Sequence, residues 1–270
     1  MRLKRSIVAL LCIPLASAAC GSNDDGSGVG GSSASDGVGT TELTVFAASS
    51  LTAAFTQIGS DFEAANPGAT VTFNFGSSGD LASAIESEGT ADVFASASGT
   101  YMDEVGDKVG VSGRADFVQN RLVIITPPDN PANIRSLEAL ANPGVQVVLA
   151  AEGVPVGDYA RQALESAGIK DEVLANVVSN EEDDASVVAK IAAGEADAAI
   201  VYVSDVTSAV GPQVAAVDIP DDVNVIATYP IAVVSTSTHA DLALSFVTYV
   251  TGAEGEATLA HFGFLPPSTS

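Results

Sequence analysis

The chain has 270 residues, 47% of them hydrophobic, enough for one large or two ordinary domains with a substantial core. Lys and Arg number 10 against 34 Asp and Glu, a formal net charge of −24. That balance excludes nucleic acid and anionic lipid surfaces as electrostatic partners, because approach would begin against long-range repulsion.

Arg2, Lys4 and Arg5 precede an apolar run from Ser6 to Leu15 and then Ala16-Ser17-Ala18-Ala19-Cys20, the three-part layout of a secretory signal. The run is too short to span a bilayer as a mature helix. Small residues directly before a cysteine resemble the bacterial lipoprotein processing site, where the cysteine is lipidated and becomes the new N-terminus; Ser17 stands where that pattern usually has Leu. A plain signal peptide cut near Ala19 is the alternative. Residues 1–20 are thus expected to be a signal peptide with a lipoprotein-type cysteine. Cys12 is discarded with the signal, which leaves Cys20 alone and no internal disulfide. Residues 21–40 are Gly, Ser and Asp with almost nothing to bury, the composition of a flexible tether.

From Glu42 the pattern becomes periodic. Val45-Phe46-Ala47-Ala48 predicts a buried strand, and Leu51, Phe55, Ile58 and Phe62 recur at helical spacing after the hydroxyl turn Ser49-Ser50. A serine there could cap the helix, or the turn could offer its free N–H groups to an anion. Ala69 to Phe75 alternates as a second strand and runs into Gly76-Ser77-Ser78-Gly79-Asp80, after which Leu81, Ala82 and Ile85 restart a helix that ends near Gly89. Ala91 to Ser96 is a further strand. This order predicts a parallel sheet with helices on its faces.

Arg121 to Thr126 reads as a strand stopped by Pro127-Pro128, Leu137 to Leu140 as a helical turn, and Val145 to Ala150 as a buried strand. Glu152-Gly153-Val154-Pro155-Val156-Gly157-Asp158 then opens a third helix after a tight turn, one in which main-chain N–H groups would make any anion contact. Val177 to Ser179 leads into Asn180-Glu181-Glu182-Asp183-Asp184 before the helix of Val187, Val188 and Ile191. The four acids lack the alternating spacing and glycine of an EF-hand loop, and acids at a helix start suit the macrodipole. Gly194-Glu195-Ala196-Asp197 before Ile200-Val201-Tyr202 repeats the logic of Gly89-Thr90-Ala91-Asp92, an echo between two α/β halves. Val214 to Ile219 and Thr228 to Val234 are expected strands, the second interrupted at Tyr229-Pro230, and two helices near 242–250 and 254–262 close the chain.

Only His239 and His261 exist, neither beside the turns, and no Gly-x-Ser-x-Gly elbow, Walker loop, dinucleotide fingerprint or Cys/His metal cluster is present. An enzyme is therefore not expected. What remains is a set of neutral donors: Ser50, Ser78, the main-chain N–H groups around Val156 and Asp184, and the phenol of Tyr202. Oriented dipoles of this kind can hold a dianion without pairing it to cations.

Val45 to Thr52, Phe75 to Leu81, Ala91 to Ala97, Asn120 to Val123, Val154 to Ala160, Gly194 to Asp197 with Ile200-Val201-Tyr202, and Gly263-Phe264 together resemble, in order, the signature segments of the extracytoplasmic molybdate-binding proteins of ABC importers. The resemblance spans nearly all of Glu42 to Pro267. It implies an α/β, two-lobe periplasmic-binding-protein fold of type II, each lobe a mostly parallel sheet flanked by helices, with two crossover strands. Lobe 1 would comprise residues 41–120 plus 229–270 and lobe 2 residues 121–228. It implies molybdate or tungstate as ligand, no cofactor, an ABC permease as partner, a membrane attachment through lipid on Cys20, a monomer, and an extracytoplasmic location. Carried over residue by residue, Ser50 and Ser78 would supply hydroxyl and main-chain donors, Val156 and Asp184 main-chain N–H groups, and Tyr202 its phenol. The carboxylate of Asp184 would repel an oxyanion unless it points away. Rival readings are a receptor for sulfate, phosphate or a carboxylate, for which Arg121 or a more solvent-facing Arg161 would be the cation, and a tethered surface protein that docks a partner.

Overall fold

The computed structural model describes residues 40–207 and 213–268. The signal segment, Cys20 and almost all of the tether lie outside the described residues, and none of the described helices is long and apolar enough to cross a membrane.

The elements run in the order β1 (Thr41–Ala48), a 3-10 turn (Ser49–Leu51), α1 (Thr52–Ala65), β2 (Ala69–Gly76), α2 (Ser78–Glu88), β3 (Val93–Ala95), α3 (Gly99–Lys108) and β4 (Val111–Thr126). A 3-10 turn (Glu138–Ala141) leads to β5 (Val147–Ala150), α4 (Pro155–Ser166), α5 (Lys170–Ala175), β6 (Val177–Glu181), α6 (Asp184–Ala192), β7 (Ala198–Tyr202) and α7 (Val203–Thr207). The chain finishes with β8 (Ala215–Asp218), β9 (Ile226–Val234), α8 (Ala240–Val250) and α9 (Ala253–His261).

The strands hydrogen-bond in the order β2-β1-β3-β9-β4-β7-β5-β6, with β8 also on β4. β1 pairs in parallel with β2 and β3, and β5 with β6 and β7; the pairings made by β4 and β9 are antiparallel. β4 is the long strand of the molecule. Its residues up to Arg121 pair with β9, and Leu122 to Thr126 pair with β7 and β8. A parallel strand pair needs a helical crossover, so α1 and α2 serve β1, β2 and β3, while α4, α5 and α6 serve β5, β6 and β7.

Apolar spacing explains the packing. On α1, Phe55, Ile58 and Phe62 are fully or almost fully buried, and Phe55 meets Phe73 and Phe246 with ring centroids 6.0 and 6.2 Å apart. β1 buries both faces from Val45 onward, as a strand between two others with helices on each side must.

The echo read from the sequence has a physical counterpart. The Asp92 carboxylate accepts from the Thr44 N–H at 2.8 Å while the Asp92 N–H donates to the Thr44 carbonyl at 2.8 Å. Asp197 does the same with Gln146, at 2.8 and 2.9 Å. Each aspartate thus registers a strand of its parallel sheet at the edge away from the helix starts.

Several local expectations are corrected. β4 begins at Val111, ten residues before the predicted start, because its first half is only partly buried and carries Ser112, Gly113, Arg114 and Asp116, which hide the strand period. Pro230 does not interrupt β9: it faces Asp116 where the register of β4 shifts between Asp116 and Val118, so the ladder tolerates its missing N–H, and its carbonyl accepts from Ser96 at 2.9 Å. Helices α3, α5 and α7 were not anticipated; α5 and α7 span only six and five residues.

Candidate functional site

Four chain segments leave their strands and start helices around one small cavity. They are the 3-10 turn after β1, the start of α2 after β2, the start of α4 after β5 and the start of α6 after β6. These are the carboxyl ends of parallel strands, where α/β sheets place their ligands. Each helix start also leaves N–H groups without intrahelical partners and carries the positive end of the dipole.

The cavity is lined by Ala48, Ser49, Ser50, Gly76, Ser77, Ser78, Ala97, Val154, Pro155, Val156, Asp184 and Tyr202. The space in it that admits the centre of a water-sized sphere is about 10 Å³, close to what one water needs. All five site residues expected from the sequence, Ser50, Ser78, Val156, Asp184 and Tyr202, are brought together here, and each is at most 8% exposed.

The serines are not caps of the first helix. Ala48 is the N-cap of the 3-10 turn and no side chain caps it. Ser49 instead donates to the Asp184 carboxylate, and Ser50 meets the Tyr229 hydroxyl at 3.0 Å. Ser78 Oγ accepts from the Ala97 N–H at 2.9 Å, so its own proton is left for another acceptor. Ser77 caps α2, accepting from the Asp80 N–H at 3.3 Å.

α4 begins at Pro155 with no side-chain cap, which leaves the Val156 N–H without a partner inside its helix. The close seat of this helix depends on Gly157. A Cβ there would stand 2.4 Å from the carbonyl oxygens of Ala150 and of Ala151. Asp183 caps α6, accepting from the Ser186 N–H at 2.7 Å, and Asp184 is the first helical residue.

The Tyr202 hydroxyl is buried and has no hydrogen-bond partner of ordinary geometry, an arrangement that costs about 1 to 3 kcal/mol when nothing compensates it. Burial pushes the phenols of Tyr202 and Tyr229 well above their usual range, so both are neutral donors. Burial also pushes the Asp184 carboxyl up to about 6, against the hydrogen bond from Ser49. Asp205, hydrogen-bonded to Asp184, is raised well above the usual carboxylate range by burial and then by Asp184; its Oδ2 accepts from the Tyr202 N–H at 2.9 Å.

Among the described residues, no lysine or arginine lines the cavity. Arg121 pairs with Asp218 at 3.3 Å and Asp221 at 3.5 Å. Arg161 is not solvent-facing as expected: it is 8% exposed, and its guanidinium donates at 2.8 Å to the carbonyls of Ala150 and Gly157 and to Asn180 Oδ1, tying α4 to β5 and β6. The cation required by the carboxylate rival is thereby committed to structure. A larger hollow of about 430 Å³ lies between β4, α9 and the C-terminal segment, but its lining is mainly apolar and a single helix start, that of α9 at Ala253, borders it.

Sequence reasoning passed over the supports: Asn120, Tyr229, Asp205 and the cap Ser77. Asn120 stood in the quoted Asn120-Arg121-Leu122-Val123, and a polar residue opening so apolar a run was the available signal.

Residues 43–265 match the family described as bacterial extracellular solute-binding protein. The chain is 40% identical over 250 residues to the molybdate-binding protein of Mycobacterium tuberculosis, covering 92% of each. To that of Escherichia coli it is 32% identical over 231 residues, 83% of this chain and 88% of the relative. The fold matches the periplasmic molybdate-binding protein of Azotobacter vinelandii with a TM-score of 0.75 at 19% identity, over 84% of this chain and all of that one.

Proposed function

Because the chain belongs to the bacterial extracellular solute-binding proteins, we propose that it captures molybdate, and tungstate with it, outside the cytoplasm and delivers the ion to the permease of an ABC importer. The observation that carries this reading is the meeting of four helix starts and a buried tyrosine hydroxyl without a partner of ordinary geometry around one small cavity that has no lysine or arginine among the described residues lining it.

In this reading the donors are the hydroxyls of Ser50, Ser78 and Tyr202 and the main-chain N–H groups of Val156 and Asp184. Hydrogen bonds to charged groups contribute about 1.5 to 3 kcal/mol each. Five would together reach roughly 8 to 15 kcal/mol, which after the cost of ordering the site falls in the range of micromolar to nanomolar affinity. Sulfate is a smaller tetrahedron and would leave donors unpaired, at about 1 to 3 kcal/mol for each. Molybdenum enters only as the centre of the oxyanion, and the reading includes neither a catalytic step nor a cofactor.

The same proposal places residues 41–120 and 229–270 in one lobe and 121–228 in the other, with the ion between them. Ser49 to Asp184, Tyr101 to the Gly153 carbonyl and Tyr159 to the Ala97 carbonyl at 3.5 Å are then bonds across the cleft. It takes the chain as a monomer held at the membrane by lipid on Cys20.

Isothermal calorimetry with molybdate, tungstate and sulfate tests the reading. Saturable heat with the first two and none with sulfate is expected; a flat molybdate trace refutes it, and heat with sulfate alone moves the chain to the rival oxyanion.

A further inference from the structure

The Asp184 carboxylate is the one feature of the cavity that a simple anion trap would lack. It lines the cavity at 3% exposure, and its Oδ1 receives the Ser49 hydroxyl and, at 3.0 Å, the Ala185 N–H. It is also hydrogen-bonded to Asp205, itself 9% exposed and held by the Tyr202 N–H. Two carboxyl groups in mutual hydrogen bond need a proton between them, because two ionised carboxylates are both acceptors.

Lys190, on the same helix as Asp184, goes to Glu181 at 3.4 Å and Glu195 at 3.6 Å, while Arg121 of β4 and Arg161 of α4 are engaged as described. Asp183, the N-cap of α6, acts on both carboxyls, and the neutral phenols of Tyr202 on β7 and Tyr229 on β9 interact with Asp184. An arriving dianion would thus meet an ionised carboxylate beside the helix-start N–H groups, a repulsion that is relieved when the pair takes up a proton.

Resting on the oxyanion reading above, we propose that Asp184 is a specificity-determining donor: it binds the ion as a carboxylic acid, held in place by Asp205, so that capture of each dianion draws a proton from solvent onto the pair. The proton stays on the carboxyl oxygen and is shared with an oxygen of the ion; no bond of the ion breaks. The raised titration of both carboxyls agrees with a pair that accepts this second proton at modest cost. The consequence is a ligand preference: a fully ionised oxyanion satisfies this donor.

Calorimetry of molybdate binding in buffers of differing ionisation heat, repeated from about pH 5.5 to 8.5, counts the protons taken up. The expected result is an uptake approaching one proton per ion above about pH 7 and an affinity that falls about tenfold per pH unit there. Asp184→Asn, whose amide donates at every pH, is expected to abolish the uptake and flatten the profile. Asp205→Asn keeps a neutral hydrogen-bond donor beside Asp184 and removes the second titrating carboxyl, so it should preserve the uptake at high pH. Binding by the wild type without proton uptake, or undiminished uptake in Asp184→Asn, overturns the inference while leaving the oxyanion reading intact. Absence of molybdate binding at every pH defeats that reading, and this one with it.

Discussion

The hydroxyls of Ser50, which lines the cavity, and Tyr229, buried behind it, meet at 3.0 Å although 179 positions apart in the chain. Asn120 Nδ2 donates to the same Tyr229 oxygen at 3.4 Å and to Ser204 Oγ at 2.8 Å. The phenol can then give its proton to Ser50 Oγ, which leaves the Ser50 proton for the cavity. The Ala97 N–H does the same for Ser78. Both serines are therefore turned into donors by hydrogen bonds they receive.

Tyr229→Phe tests that relay. Ser50 keeps its place but loses the bond that orients its hydroxyl, so molybdate affinity is expected to fall by about 1 kcal/mol, roughly fivefold. Calorimetry reads the change; an unaltered dissociation constant would break the link between the phenol and the serine.

Tyr202→Phe separates binding from stability. The phenol has no partner of ordinary geometry in the ligand-free protein, so its removal should leave the thermal midpoint equal or higher. Affinity for molybdate should fall by about 1 to 3 kcal/mol. A variant that loses stability without losing affinity would mean that the hydroxyl serves the core and not the ion.

Gly157→Ala addresses the seat of α4. The added methyl would press on two main-chain carbonyls at 2.4 Å, so the helix start must move. A loss of about 1 to 3 kcal/mol in stability is expected on denaturant unfolding, with weakened molybdate binding as the Val156 N–H shifts. Full retention of both would show that the helix start has slack.

The raised Asp184 carboxyl sets a pH dependence for the ligand-free protein. Its folded value lies near 6, above the ordinary 3.8, so between those values the native state holds more proton than the unfolded one. Its contribution to stability therefore rises as pH falls through 6 and is complete below about 4. The midpoint of Asp184→Asn minus that of the wild type should thus be more positive at about pH 7.5 than at about pH 5. A difference independent of pH would contradict this.

Much of the arrangement was legible in the sequence because the strand-to-helix turns are short and chemically distinct. Ser50, Ser78, Val156 and Asp184 each stand within two residues of a helix start, and a period-3.6 pattern follows each of them. Tyr202 ends a strand of five fully buried residues, which fixes which end of the sheet its hydroxyl serves. The supports were not legible because they act through distance. The Asp184–Asp205 bond and the Tyr229 relay join residues whose neighbours in sequence reveal nothing of the pairing. Arg161 was misread for a related reason. Its position in the first turns of α4 suggests solvent, yet the carbonyls left at the end of β5 draw its guanidinium inward.

The most direct measurement is a crystal structure of the protein loaded with molybdate. One tetrahedral ion is expected in this cavity, within ordinary hydrogen-bond distance of the Ser50, Ser78 and Tyr202 hydroxyls and of the Val156 and Asp184 N–H groups, with no lysine or arginine touching it. An ion seated elsewhere, or held chiefly by a cation, would contradict the account.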